Sequence, residues 1–502
     1  MTTMKSDASA NRYWWTDLQG YDFTAHILTF ACGDLAFVYD VNSNSLHRLD
    51  RPAQQIVEAL IDNRGDVNAA TSQLLCEYQL SSELIEEIFA ELGELKKAGL
   101  LFTKDDLARR YSYQGSELAK VERIDTEEEI VSEAYKPIVK ALCMHIAHDC
   151  NLRCTYCFAG TGPFGGDRSL MSLETGQEAI EFLLRHSQGR RHIEIDFFGG
   201  EPLLNFAVVK DLVAYAKKRA AEEEKVLKLT LTTNGLLLDD ETTRFLNEEG
   251  LSVVLSLDGR PNVHDAMRPY IDGQGSYEEV VENLQKFAQS RQNQDYYVRG
   301  TYTRHNPDFA ADALHIHDLG FVHLSVEPVV ASPQDGYALT MEDLPQIDEQ
   351  YRILAEEIHR RKQKGEELNF FHFQLDLAEG PCLAKRLSGC GAGFEYMAVD
   401  PKGDLYPCHQ FVGQEKFKLG HVSGTIEGQS QEVCRVFADA HIYHKQGCPS
   451  CWARFLCSGG CHANNEAESG DLRIPSKIGC ELARIRLKWA LYAKVLMEAE
   501  AQ

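Results

Sequence analysis

Six apolar, partly β-branched runs recur along the middle of this chain: "ALCMHIA" (141–147), "HIEIDFF" (192–198), "LKLTLTT" (227–233), "LSVVLSL" (251–257), "YYVRGTY" (296–302) and "FVHLSVEPVV" (321–330). The stretches between them, 174–187, 205–223, 239–248, 277–290 and 308–318, place apolar residues at helical spacing. Strand-length runs alternating with helix-length ones build βαβ units, and each helical crossover returns the chain to run parallel to its predecessor. The fold expected is α/β, with six strands in a curled, partial (β/α)6 barrel. Polar chemistry in parallel sheets collects at the C-terminal ends of the strands. Four unusual turns follow the first four runs: "HDCNLRCTYCFAG" (148–160), Gly199-Gly200-Glu201-Pro202, Asn234-Gly235 and Asp258-Gly259. They are predicted to face one mouth.

The flanking regions read differently. After a tail (1–20), residues 21–107 hold short strands between the turn formers Gly33-Asp34 and Asn42-Ser43-Asn44, then helices at about 52–63, 66–77 and 82–98, and "LLFT" as a closing strand. That order suggests a small winged-helix unit. Residues 108–138 are a polar linker with a capping box at Thr126-x-x-Glu129. The barrel spans 139–335, a helical segment (336–380) bridges onward, and 381–502 hold nine of the fifteen cysteines. A formal net charge of −25 argues against a nucleic-acid partner, because phosphate binding needs clustered Lys and Arg. No apolar run is long enough to span a membrane, and "MTTMKSDASANRYWW" has no secretory character, so a cytoplasmic protein without a membrane partner is expected. In a reducing compartment, fifteen cysteines point to metal ligation or catalysis rather than disulfides.

Cys150-x3-Cys154-x2-Cys157 is a triplet, whereas a structural zinc site asks for four ligands, often as two close pairs. Three thiolates leave a [4Fe–4S] cluster with one iron open to a substrate or cofactor. The triplet, with Tyr156 as its aromatic, resembles the signature of the radical S-adenosylmethionine (SAM) superfamily. The resemblance implies that the open iron chelates SAM, whose reductive cleavage gives a 5′-deoxyadenosyl radical. "FFGGEP" is similar to the family's GGE turn, so Gly199, Gly200 and Glu201 would hold the methionyl amine. "TTNG" and "SLDG" would bring Asn234 and Ser256 toward the ribose and carboxylate, with Arg268 in "HDAMRP" a further candidate for the carboxylate. Ordinary turn chemistry is the competing account of Asn234 and Asp258.

Cys390-x12-Gly403-x4-Cys408, then Cys448-x2-Cys451-x5-Cys457-x3-Cys461 and finally Cys480, resembles the SPASM extension of radical SAM peptide-modifying enzymes. The resemblance implies two auxiliary [4Fe–4S] clusters and so three in all. Cys390, Cys408 and Cys461 would hold the first, with Cys382 its candidate fourth ligand or that iron left open to a substrate thiol. Cys448, Cys451, Cys457 and Cys480 would hold the second. Cys434 reads as a buried thiol outside the pattern, and Cys32, Cys76 and Cys143 as small core residues. His409 stands where some relatives carry an acidic base; a structural histidine is the alternative.

The wording around these cysteines, "LSGCGAGFEYMAVDPKGDLYPCHQFVG" (387–413) and "CPSCWARFLCSGGCHANN" (448–465), resembles maturases of ranthipeptides, including the SCIFF group. The unit at 21–107 is similar to a RiPP recognition element, which captures a leader peptide by strand addition to a sheet edge, here expected within 26–40. The resemblance implies an enzyme that installs thioether crosslinks, from cysteine sulfur to a β or γ carbon, in a cysteine-rich precursor peptide. It would draw electrons from a donor such as flavodoxin or ferredoxin. A formylglycine-forming sulfatase maturase shares the same cluster frame, and a non-catalytic iron–sulfur or zinc scaffold is the alternative outside enzymes.

Overall fold

Strands β1 (Ile27–Cys32), β2 (Leu35–Asp40) and β3 (Ser45–Leu49) pair antiparallel in that order, and helices Arg51–Asp62, Val67–Cys76 and Ser82–Lys97 follow. The computed structural model describes residues 14–111, 136–378 and 382–498; the first part of the expected tail and the linker's centre, capping box included, lie outside the described residues. The first and third of these helices start where side-chain oxygens of Asp50 and Ser81 accept from backbone amides at 2.8 and 3.2 Å, replacing bonds a helix start lacks. Because β2 is central, only β1 within 26–40 is a sheet edge; β3 is the other. "LLFT" does not form the expected strand. Leu101 and Phe102 instead bury their side chains in the unit's core, and Phe102 takes a φ of 52°, which an extended strand cannot accommodate.

The main sheet contains all six expected parallel strands: β4 (Ala141–Ala147), β5 (His192–Gly199), β6 (Val226–Thr233), β7 (Ser252–Ser256), β8 (Tyr296–Tyr302) and β9 (His323–Pro328). Every residue of β4 is buried, as expected for a parallel strand covered on both faces. Helices Leu173–His186, Phe206–Glu222, Asp240–Glu248, Tyr277–Ser290 and Phe309–Asp318 form the crossovers. The sequence reading missed Pro261–Met267, a seven-residue helix too short to show a period.

The sheet extends past the six strands at both ends. The bridging segment supplies helix Leu344–Gln363 and the short strand β10 (Asn369–Phe370) beside β9. The C-terminal region adds β11 (Tyr396–Val399) parallel to β4, followed by antiparallel β12 (Asp404–Tyr406) and β13 (Gly420–His421). The cysteine-rich region is therefore continuous with the sheet that carries the mouth. The C-terminal helix Lys477–Glu498 packs on Leu344–Gln363, where Asp348 accepts from Lys488 Nζ at 2.6 Å and Trp489 Nε1 at 3.0 Å. The N-terminal unit docks on the same helix: the Phe30 ring lies 5.1 Å from Trp489 and 6.0 Å from Tyr492. Among the described residues no helix is long and apolar enough to cross a membrane.

Candidate active site and cysteine clusters

The loop after β4 is held by backbone on two sides. On one, Gly200 N donates to Ala147 O and Glu201 N to Asp149 O, both at 2.8 Å. A Cβ on Gly199 would stand 2.3 Å from Ala147 O, and one on Gly200 2.1 Å from Asp149 O, so both positions require glycine. On the other side, Arg153 N bonds Pro269 O at 2.8 Å and Thr155 N bonds Met267 O at 2.9 Å. These bonds lace the cysteine loop to the segment carrying Arg268. Cys150, Cys154 and Cys157 line one cavity at the C-terminal ends of the strands, together with Tyr156, Gly199, Gly200, Asn234, Ser256 and Arg268. Burial pushes the Cys150 thiol to about 11 and the Cys154 thiol to about 12, so metal loading must displace their protons.

The spacing of the thiols bears on which metal fits. Four sulfurs about 2.3 Å from a tetrahedral zinc lie roughly 3.8 Å apart. Among the described residues no three cysteine sulfurs come within 4.8 Å of one another. The three thiols of the loop are thus not gathered around one ion position, and their number, one short of a structural zinc's four, is the feature that fits a cluster with an open iron.

Behind the thiols, Asp258 is fully buried and organises the floor. Tyr156 donates its hydroxyl to Asp258 Oδ2 at 2.7 Å, and Thr301 N donates to Oδ1 at 3.0 Å. Arg268 Nε lies 3.0 Å from the same Oδ2 as an ion pair, without the alignment of a good hydrogen bond. The guanidinium also sits 5.5 Å from the centre of the Tyr156 ring. Burial opposes its charge, but Asp258, Tyr156 and Cys154 hold it above the ordinary arginine range. Arg268 therefore presents a fixed cation to the cavity, a fit for the carboxylate of an amino-acid-like cofactor.

Other expected contacts are placed differently. Asn234 Nδ2 bonds Asn151 Oδ1 at 2.7 Å and approaches Cys150 Sγ at 3.7 Å, while its Oδ1 accepts from Leu236 N. Asn234 thus ties β6 to the cysteine loop and also closes its own turn. Glu201 turns away from the cavity into the end of β6. Its carboxylate accepts from Asn234 N at 2.8 Å, Thr233 Oγ1 at 2.9 Å and Leu203 N at 3.0 Å. Burial nevertheless raises it from 4.5 to about 7, the three hydrogen bonds offsetting only part of the penalty. The folded state therefore binds this proton more tightly than the unfolded chain. Its contribution to stability is lowest above pH 7 and improves by roughly 3 kcal/mol as pH falls toward 4.5. Denaturation curves across that window are expected to show this slope in the wild type and a flatter one in Glu201→Gln; equal slopes would refute the assignment.

The cavity's far wall holds groups that sequence reading did not single out. Arg299 at β8 pairs with Glu327 at β9. Burial would raise Glu327, but Arg299 and His372 overcome it and hold the carboxyl near 2. A charged residue inside each of two apolar runs was the available signal. His409 also lines the cavity, with Tyr396 OH 3.3 Å from its Nδ1 and its ring 5.2 and 5.4 Å from Phe198 and Phe158. Burial lowers it to about 4, so it is neutral at pH 7.

The C-terminal cysteines form two further groups. Cys448, Cys451, Cys457 and Cys480 line one cavity with Arg454 and Arg484, and Arg484 Nη1 points at Cys451 Sγ from 3.9 Å. Burial raises Cys448 to about 12 and Cys480 to about 11. Cys390, Cys408 and Cys461 lie close enough for their charges to act on one another. Between the two groups, buried Lys445 donates to Gly459 O at 2.8 Å, midway along the chain from Cys457 to Cys461. Cys382 is exposed at the start of helix Leu383–Ser388. Cys434 and Cys143 are buried as expected, whereas Cys76 is exposed at the end of its helix rather than in the core.

Comparison with known proteins finds similarity in sequence and in fold. Residues 144–307 match the family model described as the Radical SAM superfamily. The serine-type anaerobic sulfatase-maturating enzyme of Klebsiella aerogenes is 24% identical over 353 residues, 65% of this chain and 80% of that protein. The radical SAM cyclopropyl synthase TigE of Paramaledivibacter caminithermalis is 20% identical over 405 residues, 75% of this chain and 77% of that one. A solved structure described as native anSMEcpe with bound AdoMet and Cp18Cys peptide superposes with a TM-score of 0.59 at 19% identity, covering 72% of this chain and 99% of that one.

Proposed function

We propose, from a segment at 144–307 that matches the Radical SAM superfamily model, that this chain is a radical SAM peptide maturase that forms thioether crosslinks in a cysteine-rich precursor. The observation that carries the reading is the presence of three separate thiol groups in one molecule. One lines the strand-end mouth beside Arg268, and the other two belong to a cysteine-rich region continuous with the same sheet. In this reading Cys150, Cys154 and Cys157 hold a [4Fe–4S] cluster that binds SAM. Cys390, Cys408 and Cys461, with Cys382 as a candidate fourth ligand, hold a first auxiliary cluster, and Cys448, Cys451, Cys457 and Cys480 a second. When bound, these groups supply a hydrogen-abstracting carbon radical and electron acceptors.

The chain's own residues position and shield. Arg268 binds the SAM carboxylate, while the Gly199–Gly200 backbone and Ser256 border its site. Phe158, Phe198, Val329 and Val330 give the cavity apolar walls that limit water near a reactive radical. His409, held near 4 by burial and so neutral at pH 7, is too weakly basic to draw the proton from a substrate thiol and instead adds its ring to these walls beside Phe158 and Phe198. The unit at 21–107 would bind the leader, with β1 or β3 as the edge that accepts a strand. Formylglycine formation is the second reading, favoured by the sulfatase-maturating relative. Against it, the sulfatase-maturating relative aligns over 80% of its own length yet over only 65% of this chain, which leaves about a third of the chain without a counterpart.

Anaerobically reconstituted protein, incubated with SAM, a strong reductant and a cysteine-rich peptide encoded next to its own gene, tests the proposal. Each link is expected to make the peptide about two mass units lighter, with fragmentation placing the loss at a carbon–sulfur bond. A carbonyl that replaces a cysteine's sulfur would favour the second reading and overturn the first.

A further inference from the structure

Arg454 lies inside the Cys451–Cys457 loop, in the middle of the second auxiliary group, yet most of its bonds reach the N-terminal unit. It is 1% exposed. One terminal nitrogen donates to Ala25 O at 2.5 Å and to Cys451 O at 3.2 Å. The other donates to Asn42 Oδ1 at 2.5 Å, His26 Nδ1 at 3.0 Å and Asp105 Oδ2 at 3.1 Å. Apart from Cys451, these partners are more than 300 residues away in sequence and come from three places in the unit. Ala25 and His26 lead into β1, Asn42 sits in the turn leading into β3, and Asp105 stands just before helix Asp106–Tyr111. Tyr443 OH adds a 2.7 Å bond to the other Asp105 oxygen from the cysteine side. Arg454 is also one of the residues that line the cavity of Cys448, Cys451, Cys457 and Cys480.

A buried arginine cannot shed its charge, and its planar fork loses several bonds at once if it moves. The segment that carries it is short: helix Arg454–Cys457 is four residues long and follows closely on Cys451, and its buried ring, Phe455, lies 4.8 Å from the same guanidinium. Whatever fixes those cysteines therefore fixes the fork, and whatever displaces the fork releases the chain entering both edge strands of the N-terminal sheet. We infer that Arg454 couples the four-cysteine site to the N-terminal unit, so that filling the site with its cluster orders the segments that lead into β1 and β3. Coupling of this kind is reciprocal: whatever stabilises the edge strands stabilises the cluster loop to the same extent. The inference rests on the proposed function in taking the site as a cluster site and the unit as the one that binds peptide. It adds that the unit reaches its peptide-binding form in the cluster-loaded enzyme alone, so a chain with an empty second auxiliary site would not hold a precursor.

Amide hydrogen exchange on the full chain, reconstituted with iron and sulfide and without any peptide, tests this. In Cys480→Ala, which removes a ligand on the far side of the site, protection across residues 23–49 is expected to fall on the order of tenfold, with the β4–β9 sheet unchanged. Arg454→Met is expected to cause the same loss, and the double variant no further loss, because both act through one connection. Unchanged protection in Cys480→Ala, or two losses that multiply in the double variant, would overturn the coupling. Should Arg454→Met fail to fold, Arg454→Lys takes its place, keeping the charge while losing the planar fork. Its effect should vanish in the Cys480→Ala background, and an undiminished effect there would count against the proposal. Exchange is read without peptide, so failure of the crosslinking assay leaves this result standing, and the reverse also holds.

Discussion

Alanine at Cys154 is expected to reduce 5′-deoxyadenosine formation to background while the protein folds normally and retains its C-terminal clusters. The loss follows from ligand number: the loop offers three thiols to its cluster, and two cannot hold a cubane that must also keep one iron open. The fold survives because the loop's path is set by backbone, through the bonds of Gly200, Glu201, Arg153 and Thr155, and not by the thiol. Iron should fall by about four per chain from about twelve, with a circular dichroism spectrum like the wild type's. Full iron retention, or deoxyadenosine production near the wild-type rate, would show that Cys154 is not a ligand. A matching loss of iron from Cys480→Ala without loss of the SAM-cleaving cluster would separate the sites.

Removing the guanidinium in Arg268→Met is the second large effect. Asp258 is fully buried and Arg268 is its ionic partner, and the substitution leaves that carboxylate with Tyr156 OH and Thr301 N alone. Breaking one side of a buried pair costs about 3–5 kcal/mol, so the melting temperature should drop by several degrees. SAM affinity should fall by at least about tenfold, since a charge-assisted bond contributes roughly 1.5–3 kcal/mol. Arg268→Lys keeps the charge without the fork and should lie between the two. Equilibrium dialysis with SAM measures the binding, and calorimetry the stability. A variant that melts lower yet binds SAM as before would make Arg268 a structural partner of Asp258 alone.

The reason some features were legible in the sequence and others not is physical. The six strands and five crossover helices could be read because a parallel sheet buries both faces, which writes continuous apolar runs into the chain, and because helices write a different period between them. The cysteine spacings stand out in the sequence because metal ligation, their proposed role, demands particular atoms at particular separations. Glu201 was harder: its motif marks a turn, but whether the carboxylate faces the cavity or the end of β6 depends on where Thr233 and Asn234 arrive. Arg299 and Glu327 form a pair only because β8 and β9 are neighbours in the sheet. The two-to-four-residue strands β10 to β13 carry too little pattern to be seen without partners. Arg454 looks like any surface arginine until the N-terminal unit is placed against it, and "LLFT" has the composition of a strand but is used as a buried plug.

The most direct test is to count iron and sulfide on the anaerobically reconstituted wild type and, in the same sample, to measure 5′-deoxyadenosine after adding SAM and a strong reductant. About twelve iron and twelve sulfide per chain with reductive SAM cleavage is the result expected of three [4Fe–4S] clusters, one of them open to SAM. Zinc bound in their place, with no deoxyadenosine formed after full reconstitution, would contradict the account and leave a metal-binding scaffold.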